Sequence, residues 1–255
     1  MDRKDINKVK TLQLLSYDIY LNTISRLKSG MSENDIAEII LKQYKRAGIE
    51  NFWYDIPIMV LIGEKRFLDM NGDYEKKTPS DKYLLNTGDT INFDFTPIDK
   101  DGFWGDFSAT YIFRPKTDYD FEKIEFLKLM RKIQRDGIKQ ITSLSRVDDI
   151  ANWYLDKFRG NGITLVDVRN NLGHSMHKGA KKNSDESEKR IFIDTKNNNP
   201  IGEGIFAIEP AGFKRSKNEK DKILVGKFED CLYVPVNSGI PLLLVPDNFT
   251  DPGSI

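Results

Sequence analysis

Apolar residues recur at helical spacing over residues 6–28, where Val9, Leu12, Leu15, Ile19, Ile24 and Leu27 share a face and the pattern ends at Gly30. A second helix follows, with Ser32 as N-cap, Asp35 three residues on, Ile36, Ile39, Ile40 and Tyr44 as its apolar stripe, and Gly48 as its stop. The pattern then changes to strands. Ile56–Ile62 is continuously apolar, and Thr90–Thr96 and Phe103–Phe113 flank a turn-forming Ile98–Gly102 segment, which predicts a hairpin.

The second half repeats this order. Residues 119–142 read as a long helix, Ser145 with Asp148 opens another that runs through Phe158, and Gly160-Asn-Gly162 closes it. The letters agree as well as the elements: Asp35-Ile-Ala, Leu41 and Gly48-Ile49 recur 114 residues later as Asp149-Ile-Ala, Leu155 and Gly162-Ile163. A duplicated αβ architecture is the expectation. Strands are predicted at Ile205–Ile208, Ile223–Val234 and Pro241–Val245, polar loops at Lys181–Arg190 and Asn197–Asn199, and a loosely ordered tail from Asp247.

Composition narrows the class. A chain of 255 residues with 39% hydrophobic and 11% aromatic content can bury a sizeable core. Thirty-nine basic residues balance thirty-nine acidic ones, so there is no basic excess to attract nucleic acid or an anionic membrane. No apolar run approaches the roughly twenty residues of a membrane helix. The charged N-terminus is unlike a signal peptide and Cys231 has no second cysteine to pair with, so the expected location is cytoplasmic. With only His174 and His177 in the chain, chemistry must lean on carboxylates.

Strand alternation puts Ile91, Phe93 and Phe95 on one face and Asn92, Asp94 and Thr96 on the other. On the partner strand Trp104, Asp106, Ser108 and Thr110 share a face, so an antiparallel hairpin is expected to set Asp94 opposite Asp106. Two facing carboxylates need a proton, a cation or solvent. Glu209 ends one apolar strand and Glu229 interrupts another, where an ionised side chain is costly unless paired. If the halves are duplicates, the four carboxylates converge, and His174 can add an imidazole. Such a set suits two divalent cations, Mn, Fe, Co or Zn, with Mn and Fe preferred, which can acidify a shared water.

At these residues the chain resembles the pita-bread metallopeptidases, the family of methionine aminopeptidase, aminopeptidase P and prolidase. The resemblance lies in Gly88-Asp-Thr-Ile-Asn-Phe-Asp94, Gly105-Asp106-Phe-Ser108-Ala-Thr110, Gly173-His174, Phe206-Ala-Ile-Glu209-Pro210 and Phe228-Glu229, in family order over about residues 5–236. It implies an α/β pita-bread (creatinase/aminopeptidase) fold in which a curved, mainly antiparallel sheet is shared by halves at about 5–115 and 116–236. Residues 1–246 would be a single metal-binding domain and 247–255 a C-terminal tail. It also implies metal ligation by Asp94, Asp106, His174, Glu209 and Glu229, proton transfer through Glu209, and hydrolysis of a short peptide or amino-acid-derived substrate by metal-activated hydroxide. A homodimer is compatible with this reading.

Two histidines that relatives carry are missing. Before the first Asp strand the chain offers Leu68-Asp-Met-Asn-Gly-Asp73, and seven residues after His174 it has Lys181. The Asp94–Asp106 interval is also one residue longer than usual. His177 is the remaining candidate for proton transfer, although three residues from His174 on an extended segment it faces the other way. Tyr54, Trp104 and Lys181 are candidate substrate contacts, with core packing the plainer role for the aromatics. The missing histidines keep two alternatives open: an iron-dependent, dioxygen-using enzyme modifying an amino acid, and a non-catalytic module binding a peptide or protein.

Overall fold

Asp2 caps the first helix, its carboxylate accepting from the Lys4 amide at 3.2 Å, and α1 runs Arg3–Ile24. In the computed structural model residues 2–54, 56–68, 77–167, 170–179, 190–236 and 239–245 are described. The second helix, α2 (Glu33–Arg46), starts at the expected capping box, in which Ser32 Oγ accepts from the Asp35 amide and Asp35 accepts from the Ser32 amide. Then come β1 (Asn51–Phe52), β2 (Ile58–Ile62), the short α3 (Glu64–Leu68), β3 (Thr90–Phe95), β4 (Pro97–Ile98) and β5 (Phe107–Ile112). The second half begins with α4 (Asp118–Ile138) and α5 (Val147–Gly160), followed by β6 (Thr164–Leu165), β7 (Gly173–Met176), β8 (Gly204–Ile208), β9 (Ala211–Arg215), β10 (Ile223–Lys227), β11 (Asp230–Val234) and β12 (Leu242–Leu243).

The duplication is visible in how the helices end and what they bury. The Ile49 amide reaches back to the Tyr44 carbonyl at 3.0 Å over Gly48, whose φ is +79°; 114 positions later the Ile163 amide reaches the Phe158 carbonyl at 2.9 Å over Gly162 at +66°. Ile36, Ile40 and Tyr44 are fully buried on α2, and their counterparts Ile150, Tyr154 and Phe158 are buried on α5. The helix starts differ. Ser145 does not cap α5, because its hydroxyl accepts from the Thr142 amide at 2.9 Å, and Arg146 takes the cap position without a side-chain bond.

Every strand pair is antiparallel. The order β2-β3-β5 in the first half is matched by β7-β8-β11 in the second, extended by β12; β10-β9-β6 and β1-β4 complete the sheets. Phe93, Phe95 and Phe107 turn their rings away from the polar face and pack under the helices, with Tyr20 of α1 edge-on to Phe93 at 5.5 Å. No helix among the described residues is long and apolar enough to cross a membrane.

Two strand expectations are corrected. The segment Phe103–Asp106 does not extend β5; it folds back on β4 through Gly105 N to Pro97 O at 2.9 Å. The register therefore sets Asp94 opposite Ser108, not Asp106. Ile223–Val234 is two strands rather than one, because β5 of the first half enters the break: the Glu229 amide donates to Ser108 O at 2.9 Å. Beside it Thr110 Oγ1 accepts from the Lys227 amide at 2.9 Å and donates to the Lys227 carbonyl at 3.0 Å. These bonds join the halves.

Thr110→Val keeps the shape but strands the Lys227 amide and carbonyl in a dry interior. A loss of about 1–3 kcal/mol is expected, measured by denaturant unfolding of the two proteins; an unchanged midpoint would show that the bond does not hold the halves together.

Candidate metal centre

Each predicted acid sits at a strand position that the fold defines. Asp94 lies on β3 and His174 on β7, Asp106 and Glu229 stand one residue ahead of β5 and β11, and Glu209 follows β8 directly. Gly173 makes the approach of β7 to β8 possible: a Cβ there would lie 2.2 Å from the Ala207 carbonyl oxygen, a clash with backbone.

Two contact sets result. In the first, the side chains of Asp106, His174 and Glu229, all buried, bring ligand atoms within 4.8 Å of one another. His174 Nε2 is 3.4 Å from Asp106 Oδ2 and 3.7 Å from Glu209 Oε1. The Nδ1 of His174 lies 3.2 Å from the Ser175 carbonyl, which can only accept, so Nδ1 carries the proton and Nε2 turns a lone pair to the acids. In the second, Lys227 Nζ lies 2.9 Å from Asp94 Oδ2, 2.9 Å from Glu209 Oε2 and 3.2 Å from Glu229 Oε2. The five expected ligands therefore do surround one region, with a lysine among them.

Lys227 was not singled out by the sequence reasoning, though the signal was available. It stands two residues before Glu229, so strand alternation points both the same way. Asn171 was also missed; its amide donates to Glu209 Oε1 at 3.1 Å, and its own carbonyl oxygen accepts from the Gly173 amide at 3.1 Å.

Proton affinities follow the crowding. Burial, then the charges of Asp94 and Glu209, push the Asp106 carboxyl well above the usual carboxylate range. Burial and Asp106 do the same to Glu229. Burial acts on Glu209 in the same direction, but the Lys227 ammonium overcomes it and holds that carboxyl down to about 2. Burial opposes charge on Lys227 too, yet Asp94, Glu209 and Glu229 raise its affinity for the proton. Burial lowers His174, against the pull of Glu209, which keeps the imidazole neutral.

The centre opens on a cavity of about 290 Å³ whose walls include Tyr54, Met59, Phe192, Lys77, Asn171 and Arg190, with Asp94, His174, Glu209 and Lys227 at its base. The Arg190 guanidinium lies over the rings of both Trp53 and Phe192, at 4.7 and 5.2 Å. Trp104 is buried behind His174, ring centroids 5.8 Å apart, and its indole N–H donates to the His177 carbonyl at 2.9 Å. It is a neighbour of the imidazole rather than a wall of the cavity. The His177 ring turns to Ser175 Oγ at 2.9 Å and is not part of the wall. Lys181 and the tail from residue 247 lie outside the described residues.

One divalent ion fits the chemistry of Asp106, His174 and Glu229: a lone-pair nitrogen and two carboxylates, with neither oxygen of the 1%-exposed Glu229 in a hydrogen bond. One oxygen each of Asp94 and Glu209, Oδ2 and Oε2, already contacts Lys227.

Paired αβ halves with acids and an imidazole around a shared cavity define a pita-bread metalloprotein. Residues 7–235 match Metallopeptidase family M24, and the chain belongs to that family. Among solved structures it is similar to X-Pro aminopeptidase from Thermotoga maritima MSB8, at TM-score 0.73 and 18% identity over 96% of this chain and 61% of that one. Methionine aminopeptidase from Rickettsia prowazekii gives TM-score 0.73 and 17% identity over 96% and 98%. Prolidase from Pyrococcus furiosus gives 0.72 and 15% over 95% and 64%. The chain thus spans about three fifths of the X-Pro aminopeptidase and nearly all of the methionine aminopeptidase. A sequence comparison with curated proteins finds no match.

Asp106 and Glu229 hold protons more tightly in the folded chain than at the unfolded value of about 4, so their contribution to stability is present below that value and is lost as pH rises through their raised ones. Glu209 has the opposite sign: its contribution is present above the unfolded value and is lost as pH falls toward about 2. A bound divalent ion replaces the two protons. The melting temperature of metal-free protein is therefore expected to fall below that of loaded protein by a margin that widens as pH rises above the unfolded carboxyl value of about 4. Thermal melts of chelated and reloaded samples measure the margin, and a constant gap would exclude these carboxyls as its source.

Proposed function

We propose that this chain is a metal-dependent hydrolase of aminopeptidase type that cleaves the amide bond of a short peptide or an amino-acid derivative. The observation that carries the reading is the meeting of neutral His174, Asp106 and Glu229 beside an open cavity with the ionised carboxylate of Glu209 at its base. The cavity is at the small end of the range for ligand pockets, about 300–1,000 Å³, which suits a substrate of one or two residues.

Asp106, His174 and Glu229 would hold a divalent ion, which would supply Lewis acidity toward the scissile carbonyl. Glu209, oriented by Asn171 and Lys227, takes a proton from the water that adds to the carbonyl carbon and passes it to the amide nitrogen as the C–N bond breaks, leaving a free acid and a free amine. Tyr54, Met59 and Phe192 provide the apolar wall against which a substrate side chain would lie. Lys227 among the expected ligands weighs against the dioxygen alternative, which needs a pair of iron ions. An open cavity beside a metal-ready donor set weighs against a purely binding module.

Mn(II)-loaded protein is expected to release amino acids from dipeptides or amino-acid amides. His174→Asn is expected to lose bound metal and at least about a hundredfold in turnover, while His177→Asn keeps metal and most turnover because its ring is engaged with Ser175. A hundredfold loss in His177→Asn with metal retained would instead make His177 the proton carrier. Release of N-terminal Met from short peptides is expected to be weak or absent, since the two extra histidine positions are empty; robust Met release, read by chromatography of the products, would overturn that.

A further inference from the structure

We infer that Lys227 permanently occupies the second cation position of this centre, so that the chain works with a single divalent ion held by Asp106, His174 and Glu229. The inference rests on the metal-site reading above and goes beyond it by fixing the number of ions and the role of a residue the sequence reasoning passed over.

Three observations carry it. The first is occupancy. The ammonium lies 2.9 Å from both Asp94 and Glu209 and 3.2 Å from Glu229. A transition ion needs carboxylate oxygens at about 2.0–2.2 Å, and an ion drawing on Asp94 Oδ2 and Glu209 Oε2 would compete with Nζ for them. The second is charge. Four carboxylates balance two divalent ions, which would leave a 7%-exposed ammonium in the interior with no counter-charge. One divalent ion leaves Lys227 its partners.

The third is attachment. The backbone of Lys227 is held on both sides, by its pairing with Ala211 and by the two bonds to Thr110. Swinging the side chain out into the cavity would separate it from three carboxylates at once. Asp94 and Glu209 each lie at hydrogen-bond distance from the ammonium, and the charge of Glu229 stands 3.2 Å away, so the acids hold it inside the cluster. Lys227 replaces the charge of an ion but not its Lewis acidity. It is a positioning residue: it holds Asp94 and Glu209 in place and leaves carbonyl activation to one metal.

The test is Mn(II) binding to chelator-treated protein, read by metal analysis and electron paramagnetic resonance. Wild type is expected to bind about one equivalent with the spectrum of an isolated ion, and Lys227→Gln about two, with the spin coupling of ions about 3.5–4 Å apart. Lys227→Arg, which keeps the positive charge, is expected to stay at about one. Two coupled ions in wild type would overturn the inference while leaving the hydrolase reading intact, and that measurement decides the matter even if the variants fail to fold. One uncoupled ion in both wild type and folded Lys227→Gln would overturn Lys227 as the excluding group. No bound Mn(II) in wild type would overturn the metal-site reading itself, and this inference with it.

Discussion

Four carboxylates drawn together in an interior with little water form the constraint to which the other features of this protein answer. Each ionised acid there costs several kcal/mol in lost hydration, and their mutual repulsion adds to it. The fold answers with one buried ammonium, a neutral imidazole and raised proton affinity on Asp106 and Glu229. The supporting shell has the same purpose. Asn171 fixes Glu209, and Arg131, 2.8 Å from Asp230, neutralises a further buried acid immediately beside Glu229 so that its charge is not added to the cluster.

Much of this was legible in the sequence. Capping at Ser32, the glycine stops at Gly48 and Gly162 and the 114-residue repeat depend on neighbours in sequence, and each appears in the structure with its expected partner. What failed depends on residues far away. Alternation alone paired Asp94 with Asp106, but the fold-back of Phe103–Asp106 onto β4 moves the register by two, to Ser108. The apolar run 223–234 looks continuous because its break is imposed by β5, which takes the Glu229 amide for its own Ser108 carbonyl. Lys227 is a different kind of miss. Its orientation followed from Glu229 two residues away, and only the habit of treating lysine as a surface residue hid it.

Likeness at 15–18% identity carries the backbone plan and little else. The side chains decide what that plan can do. A lysine stands among the acids, and an arginine lies over the rings of Trp53 and Phe192 at the cavity wall. Function in such a family is set by a handful of substitutions on a retained scaffold.

The contact between Lys227 and Asp94 spans 133 positions of chain. Asp94 and Asp106 are made more than a hundred residues before Lys227, so in the interval the first sheet's acids lack the ammonium that lies 2.9 Å from Asp94 in the folded chain. The charge balance of the acid cluster is thus a property of both halves together, set by a residue of the second on an acid of the first.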